Sequence, residues 1–209
     1  MTQDRRTGLL LLFGATLAWS TSGLFARAIP LDTPTVILWR GWAGAAGLIV
    51  LLWWLKGRAG FADFARLGRA GWAYALFSGL GMLLFVGALR NTSIAHVAII
   101  YATLPFVAAG LGWLLLREAP GWGALVAALV ALAGSAVMVG LGSDGALAGD
   151  LMSFGMVLAM AAIILIARAR PQVPALAAGI VSAIWAPAIC IPFATFSGLT
   201  VETLGLTAA

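Results

Sequence analysis

The sequence predicts an all-α fold, a polytopic membrane helix bundle of about seven transmembrane helices. These form inverted five-helix repeats, the second of them incomplete. Three observations carry the prediction. Apolar residues make up 63% of the chain and charged residues 9%, against roughly 25% charge in soluble domains. Seven stretches reach the roughly 20 apolar residues that a spanning helix needs: 8–26, 35–55, 72–89, 94–116, 123–141, 151–167 and 175–196. Finally, residues 8–30 return at 149–171, with 11 of 23 positions identical, among them Phe13/Phe154, Gly14/Gly155, Arg27/Arg168 and Pro30/Pro171. An odd number of spans, five, makes up each repeat unit, so the two copies cross the bilayer in opposite directions. The expected units are 1–141, complete, and 149–209, with two helices.

Each stretch is bounded by turn residues: Pro30 and Pro34, Asn91, Pro120 and Gly121, Gly142 to Gly145, and Pro171 and Pro174. Backbone groups in lipid must pair within their own segment, which makes each stretch a helix. The sixth is the shortest, and Pro187 and Pro192 interrupt the seventh.

Orientation follows from the basic residues between the stretches. The N-terminus and the loops after the second, fourth and sixth hold nine: Arg5, Arg6, Lys56, Arg58, Arg66, Arg69, Arg117, Arg168 and Arg170. The alternate loops hold two, Arg27 and Arg90, and the twelfth, Arg40, lies inside the second stretch. Nine against two predicts a cytoplasmic N-terminus in a plasma (inner) membrane. Arg5 and Arg6 ahead of an apolar run, with Ala26-Arg27-Ala28 after it, also have the form of a cleavable leader. The same triplet recurs as Ala167-Arg168-Ala169 deep in the chain, which argues for a retained span.

The net charge of +5 in a soluble protein would point to nucleic acid; here the bases report topology, and no nucleic-acid partner is expected. One cysteine, Cys190, and one histidine, His96, leave no disulfide and no multi-ligand zinc site. No cofactor and no metal are expected. No nucleophile-base pair stands in a span, so an enzyme is not expected either. The only lysine, Lys56, sits at a loop boundary, against a retinal-type seven-helix sensor. Inverted repeats are the architecture of secondary transporters, with a midplane site between the halves.

Six residues are the candidates for a substrate pathway: Trp19, Ser20, Arg40, His96, Tyr101 and Pro105. Arg40 is the charged side chain well inside a span, about 7 Å below the outer surface at 1.5 Å per residue. It is either a counter-charge for an anionic or zwitterionic substrate or an arginine snorkelling to headgroups beside Trp39 and Trp42. His96, near the outer end of the fourth stretch, is either a proton relay or a neutral side chain at the helix entry. Trp19 and Pro105 lie near the midplane, about 16 Å into their spans. Pro105 frees the carbonyl of Tyr101, which either faces a cavity or is satisfied by a hydroxyl such as that of Thr103. Thr16, Ser20 and Gly23 share one face of the first span; their partners in the second copy are the apolar Val157, Ala161 and Ile164. Gly41, Ala43, Gly44 and Gly47 are expected to let helices pack closely, without a binding role.

The fourth and fifth stretches read NTSIAHVAIIYATLPFVAAGLGWLLLREAPGW and GALVAALVALAGSAVMVG. With the opening AWSTSGLFARAIP and the Trp39-Arg40 pair, they resemble an EamA-type unit of the drug/metabolite transporter superfamily. The features in common are a small-polar entry, the mid-helix Pro105, the acid Glu118 just past the helix and a Gly-rich closing helix. The resemblance covers 1–141 well, 149–171 moderately and the rest weakly. It implies two five-helix units, and export or exchange of small metabolites. Against that pattern the second unit is truncated, so this chain is expected to be inactive alone or to depend on a homodimer or a complementary membrane chain. The alternative is a non-transporting structural or regulatory membrane partner.

Overall fold

The computed structural model describes residues 8–9, 13–14, 16–17, 32–117, 121–123, 125–126, 129–130, 133 and 147–194. Among these the chain is all-α, without a strand, and five helices are long and apolar enough to cross a membrane. They correspond to the second, third, fourth, sixth and seventh predicted stretches. The first and fifth lie largely outside the described residues, so the count of seven rests on sequence.

Helix α1 (Thr33–Lys56) starts where Asp32 caps it: one carboxylate oxygen accepts from the Thr35 amide at 3.0 Å and the other from the Thr35 hydroxyl at 2.7 Å. Pro34 sits in the first turn, where a missing N–H costs nothing. The helix ends at Gly57, whose φ of +56° suits a residue without Cβ. A 3₁₀ turn (Gly57–Phe61) and the short α2 (Ala62–Ala65) follow, held by Lys56–Asp63 at 2.7 Å and by stacked Phe61 and Phe64. Then come α3 (Gly68–Asn91), α4 (Ile94–Tyr101) and α5 (Leu104–Leu111), the last widening into a π turn over Gly112–Leu116. Helices α6 (Leu147–Ala169) and α7 (Ala175–Cys190) complete the described bundle.

Small residues set the packing and show its direction. A Cβ placed on Gly87 would come within 3.0 Å of Met152 Sδ, on Gly155 within 3.1 Å of Leu84, and on Gly81 within 3.6 Å of Ala159. As α3 advances, its partner positions on α6 recede, so the two are antiparallel. Helices α1 and α7 are antiparallel for the same reason: Gly41 meets Pro187, and Gly179 lies 3.8 Å from Leu48. Helices α3 and α7 run parallel: Ala75 packs with Ala177 and Ala178, Ser78 meets Ser182, and Gly79 lies under Trp185. The Trp185 indole donates to the Ala75 carbonyl at 3.1 Å.

Three apolar clusters sit along these contacts. Ala88, Leu89, Val97, Met156 and Val157 join α3, α4 and α6. Val36, Ile37, Val86 and Cys190 join α1, α3 and α7. Leu67, Ala75, Ala177 and Ala178 close the end near α2. Trp54, Trp72, Trp113 and Trp122 are exposed near the basic residues Lys56, Arg69 and Arg117. Amphipathic rings at helix ends of this kind suit the headgroup level of a bilayer.

Candidate functional site

Helices α1, α3, α6 and α7 line an open cavity of about 620 Å³, within the range of small-molecule pockets. From α1 it is lined by Arg40, Gly41, Gly44, Gly47, Leu48 and Leu51. Helix α3 contributes Ser78, Gly81, Met82, Phe85 and Val86; α6 contributes Met160 and α7 Ala183. The wall is mostly apolar, with one charged side chain.

That side chain is Arg40, partly buried. The ion pairs among the described residues are Lys56–Asp63 and His96–Asp150, neither of which involves it. An arginine deep in a span costs about 2.5–3.5 kcal/mol by insertion scales, less when it faces a cavity or snorkels. One residue earlier, the buried Trp39 indole N–H has no hydrogen-bond partner among the described residues, and its ring meets Trp42 edge-on at 6.4 Å.

The small residues of α1 divide into two groups. Gly41 does what a packing residue does, since any Cβ there would run into the Pro187 ring. Gly44 and Gly47 do not: a Cβ on either would meet nothing within 4 Å, and both face the cavity. Among the described residues, then, neither makes the close helix contact expected of it. They give the wall a flat, side-chain-free stretch. On the opposite side Pro187 lacks the N–H that would bond the Ala183 carbonyl one turn back, and Ala183 lines the cavity. Ser78 and Ser182, unremarked in the sequence because isolated serines in spans usually bond their own helix, stand 3.1 Å apart across α3 and α7.

A second polar group lies at the end of the bundle where α3 finishes and α4 and α6 begin. Ser93 caps α4, accepting from the His96 amide at 3.1 Å. The capping is therefore done by Ser93 and not by the His96 ring. That ring lies 3.1 Å from an Asp150 carboxylate oxygen, through Nδ1, while the Thr92 hydroxyl donates to Asp150 at 2.8 Å. His96 and Asp150 are 54 residues apart, and no local spacing announces the pair. Asp150 sits in the first turn of α6, where a carboxylate is favoured by the helix dipole. Chemically the cluster is a clamp across three helices with a titratable ring in it.

Asp150→Asn is expected to weaken the clamp by about 1 kcal/mol, because the amide keeps the Thr92 bond and loses the charge. Asp150→Ala is expected to cost about 2 kcal/mol, since it removes the Thr92 hydrogen bond as well as the charge. Thermal unfolding in detergent checks the order; equal effects would show that the charge contributes nothing.

The remaining candidates are scattered. The fourth predicted span is broken: α4 stops at Tyr101, Ala102 and Thr103 form a turn, and Pro105 enters the first turn of α5. The Thr103 hydroxyl donates to the Ile100 carbonyl at 2.6 Å and not to that of Tyr101. Tyr101 and Pro105 are exposed and do not line the cavity, and His96 belongs to the clamp. Trp19 and Ser20 lie outside the described residues. Of the four candidates among the described residues, Arg40 is the one on the cavity wall.

The described residues form a multi-pass apolar bundle of membrane-spanning length, with one charged side chain on the wall of its cavity. Residues 6–140 match the EamA-like transporter family, well over half of the chain. The protein belongs to that family, whose members are membrane transporters of small molecules. No curated protein and no solved structure matches it.

Proposed function

We propose that this chain is a secondary transporter that exports or exchanges small metabolites, with the α1–α3–α6–α7 cavity as its substrate site. The observation that carries the reading is the cavity's composition. Two of its walls come from 1–141 and two from 149–209, the two units the internal repeat suggests. The antiparallel pairing of α1 and α7, the second helix of each unit, supports an inverted repeat, since equivalent helices should then cross in opposite directions. Alternating access needs such a site at the junction. In this reading the chain resides in the plasma (inner) membrane with a cytoplasmic N-terminus.

Two measurements test it. Reporter fusions after Lys56 and Arg117 are expected to read cytoplasmic and a fusion after Asp144 external; an external signal from the Arg66 loop would overturn the orientation. With Cys190→Ser as background, Gly44→Cys and Gly47→Cys are expected to react with small water-soluble thiol reagents. The rate should change on adding transportable substrate. Two cysteines inert from both membrane faces would show a sealed packing void and end the substrate-site reading.

A further inference from the structure

The transport reading leaves the substrate class open, and the cavity wall narrows it. Arg40 carries a charge that does not titrate in the physiological range. Among the described residues it has no acidic partner, and no Asp or Glu lines the cavity. An anion entering from water is therefore met by a cation that no described acid compensates, and its planar fork matches a carboxylate through two parallel hydrogen bonds. An ammonium group entering the same space finds no carboxylate to replace its hydration, and a desolvated charge without a partner is expensive. The rest of the wall sets the body of the ligand. Leu48, Met82 and Phe85 offer apolar surface. Gly44 and Gly47 leave open space where a Cβ would meet nothing within 4 Å. A ring or short chain can lie against that stretch, whereas a bare inorganic anion would leave the apolar surface wet or empty.

We propose that the cavity recognises a small organic anion, its carboxylate on Arg40 and its apolar body against the Gly44–Gly47 wall, in preference to zwitterions, cations and inorganic anions. The proposal rests on the cavity being the substrate site, and the test separates the two. Four probes of matched size or charge are used: 3-phenylpropanoate, phenylalanine, phenethylamine and inorganic phosphate. Their binding to the full chain in lipid nanodiscs is measured by calorimetry, for wild type, Arg40→Gln, Arg40→Lys and Gly47→Leu. Far-UV circular dichroism checks that each variant is folded.

The expected result is that 3-phenylpropanoate binds wild type at least about tenfold tighter than the other three, the scale of a charge-assisted contact. Arg40→Gln removes most of that preference, Arg40→Lys keeps part of it, and Gly47→Leu weakens every organic probe. Phenylalanine or phenethylamine binding as tightly as 3-phenylpropanoate, but losing affinity in Gly47→Leu, overturns the anion assignment while leaving the cavity as the site. So does tight phosphate binding that depends on Arg40. Binding of the organic probes indifferent to Gly47→Leu, or no binding by any probe, overturns both.

Discussion

Gly149→Ala is expected to destabilise the bundle by about 2–3 kcal/mol, while Gly44→Ala, the same chemical change in another helix, is expected to stabilise it by about 0.5–1 kcal/mol. Both glycines lie within helices, so alanine gains intrinsic propensity of about 0.8–1 kcal/mol at each. The difference is what the new methyl meets. At Gly149 it would sit 2.6 Å from Thr92 Cβ and 2.7 Å from the backbone carbon of Asn91 and nitrogen of Thr92. Backbone cannot rotate out of the way as a side-chain tip can, so α6 must shift off the end of α3, and overpacking of this kind costs about 1–3 kcal/mol. The shift also pulls Asp150 away from Thr92 and His96, dismantling the clamp one residue along. At Gly44 the methyl enters open space. Thermal unfolding in detergent, followed by tryptophan fluorescence, compares the two; effects of the same sign would mean that the α3–α6 approach is looser than described.

Much of this fold is legible along the chain, because membrane spans announce themselves through unbroken apolarity and end at polar or turn residues. The second stretch, predicted as 35–55, is α1 at Thr33–Lys56; the third, 72–89, is α3 at Gly68–Asn91. The extensions belong to capping and to turns at the headgroup level, which carry polar residues and so escape a hydropathy reading. The break between Tyr101 and Leu104 was half visible: Pro105 predicts a kink, but not that Thr103 turns its hydroxyl to Ile100.

What the sequence could not show is what faces what. Arg40 stood out as a charge in an apolar run, yet a snorkelling arginine and a cavity-lining one have the same sequence. The structure puts Arg40 on the wall of a cavity that α1, α3, α6 and α7 line together. Gly41, Gly44 and Gly47 form one small-residue stripe in the sequence and take two different roles in space, set by whether Pro187 or open volume lies opposite. Asp150 reads as a loop acid until α6 is laid antiparallel on α3 and brings it to His96.

Arg40→Leu is expected to cut transport sharply and to raise stability at once, a combination that separates a functional charge from a structural one. In an assembly competent for flux, losing a charge-assisted contact to substrate should reduce transport by about ten- to a hundredfold. Arg69→Ala, at an exposed position in the turn before the apolar part of α3, should change flux little. Stability should move the other way. Arg40 has no ion-pair partner among the described residues whose loss would leave a stranded charge. Leucine is favoured over arginine inside a span by about 3 kcal/mol at the helix centre. The shallow position and the cavity reduce that difference, so a gain of about 1 kcal/mol is expected. Residues kept at a binding site against the interest of stability show this trade-off. A snorkelling Arg40 predicts the reverse pair of results: mild loss of flux, and no gain in stability, because the headgroup contacts that had offset its burial would be lost together with the charge. Flux in proteoliposomes and unfolding of the same purified variant decide between them, and retained transport with unchanged stability would remove Arg40 from the substrate site.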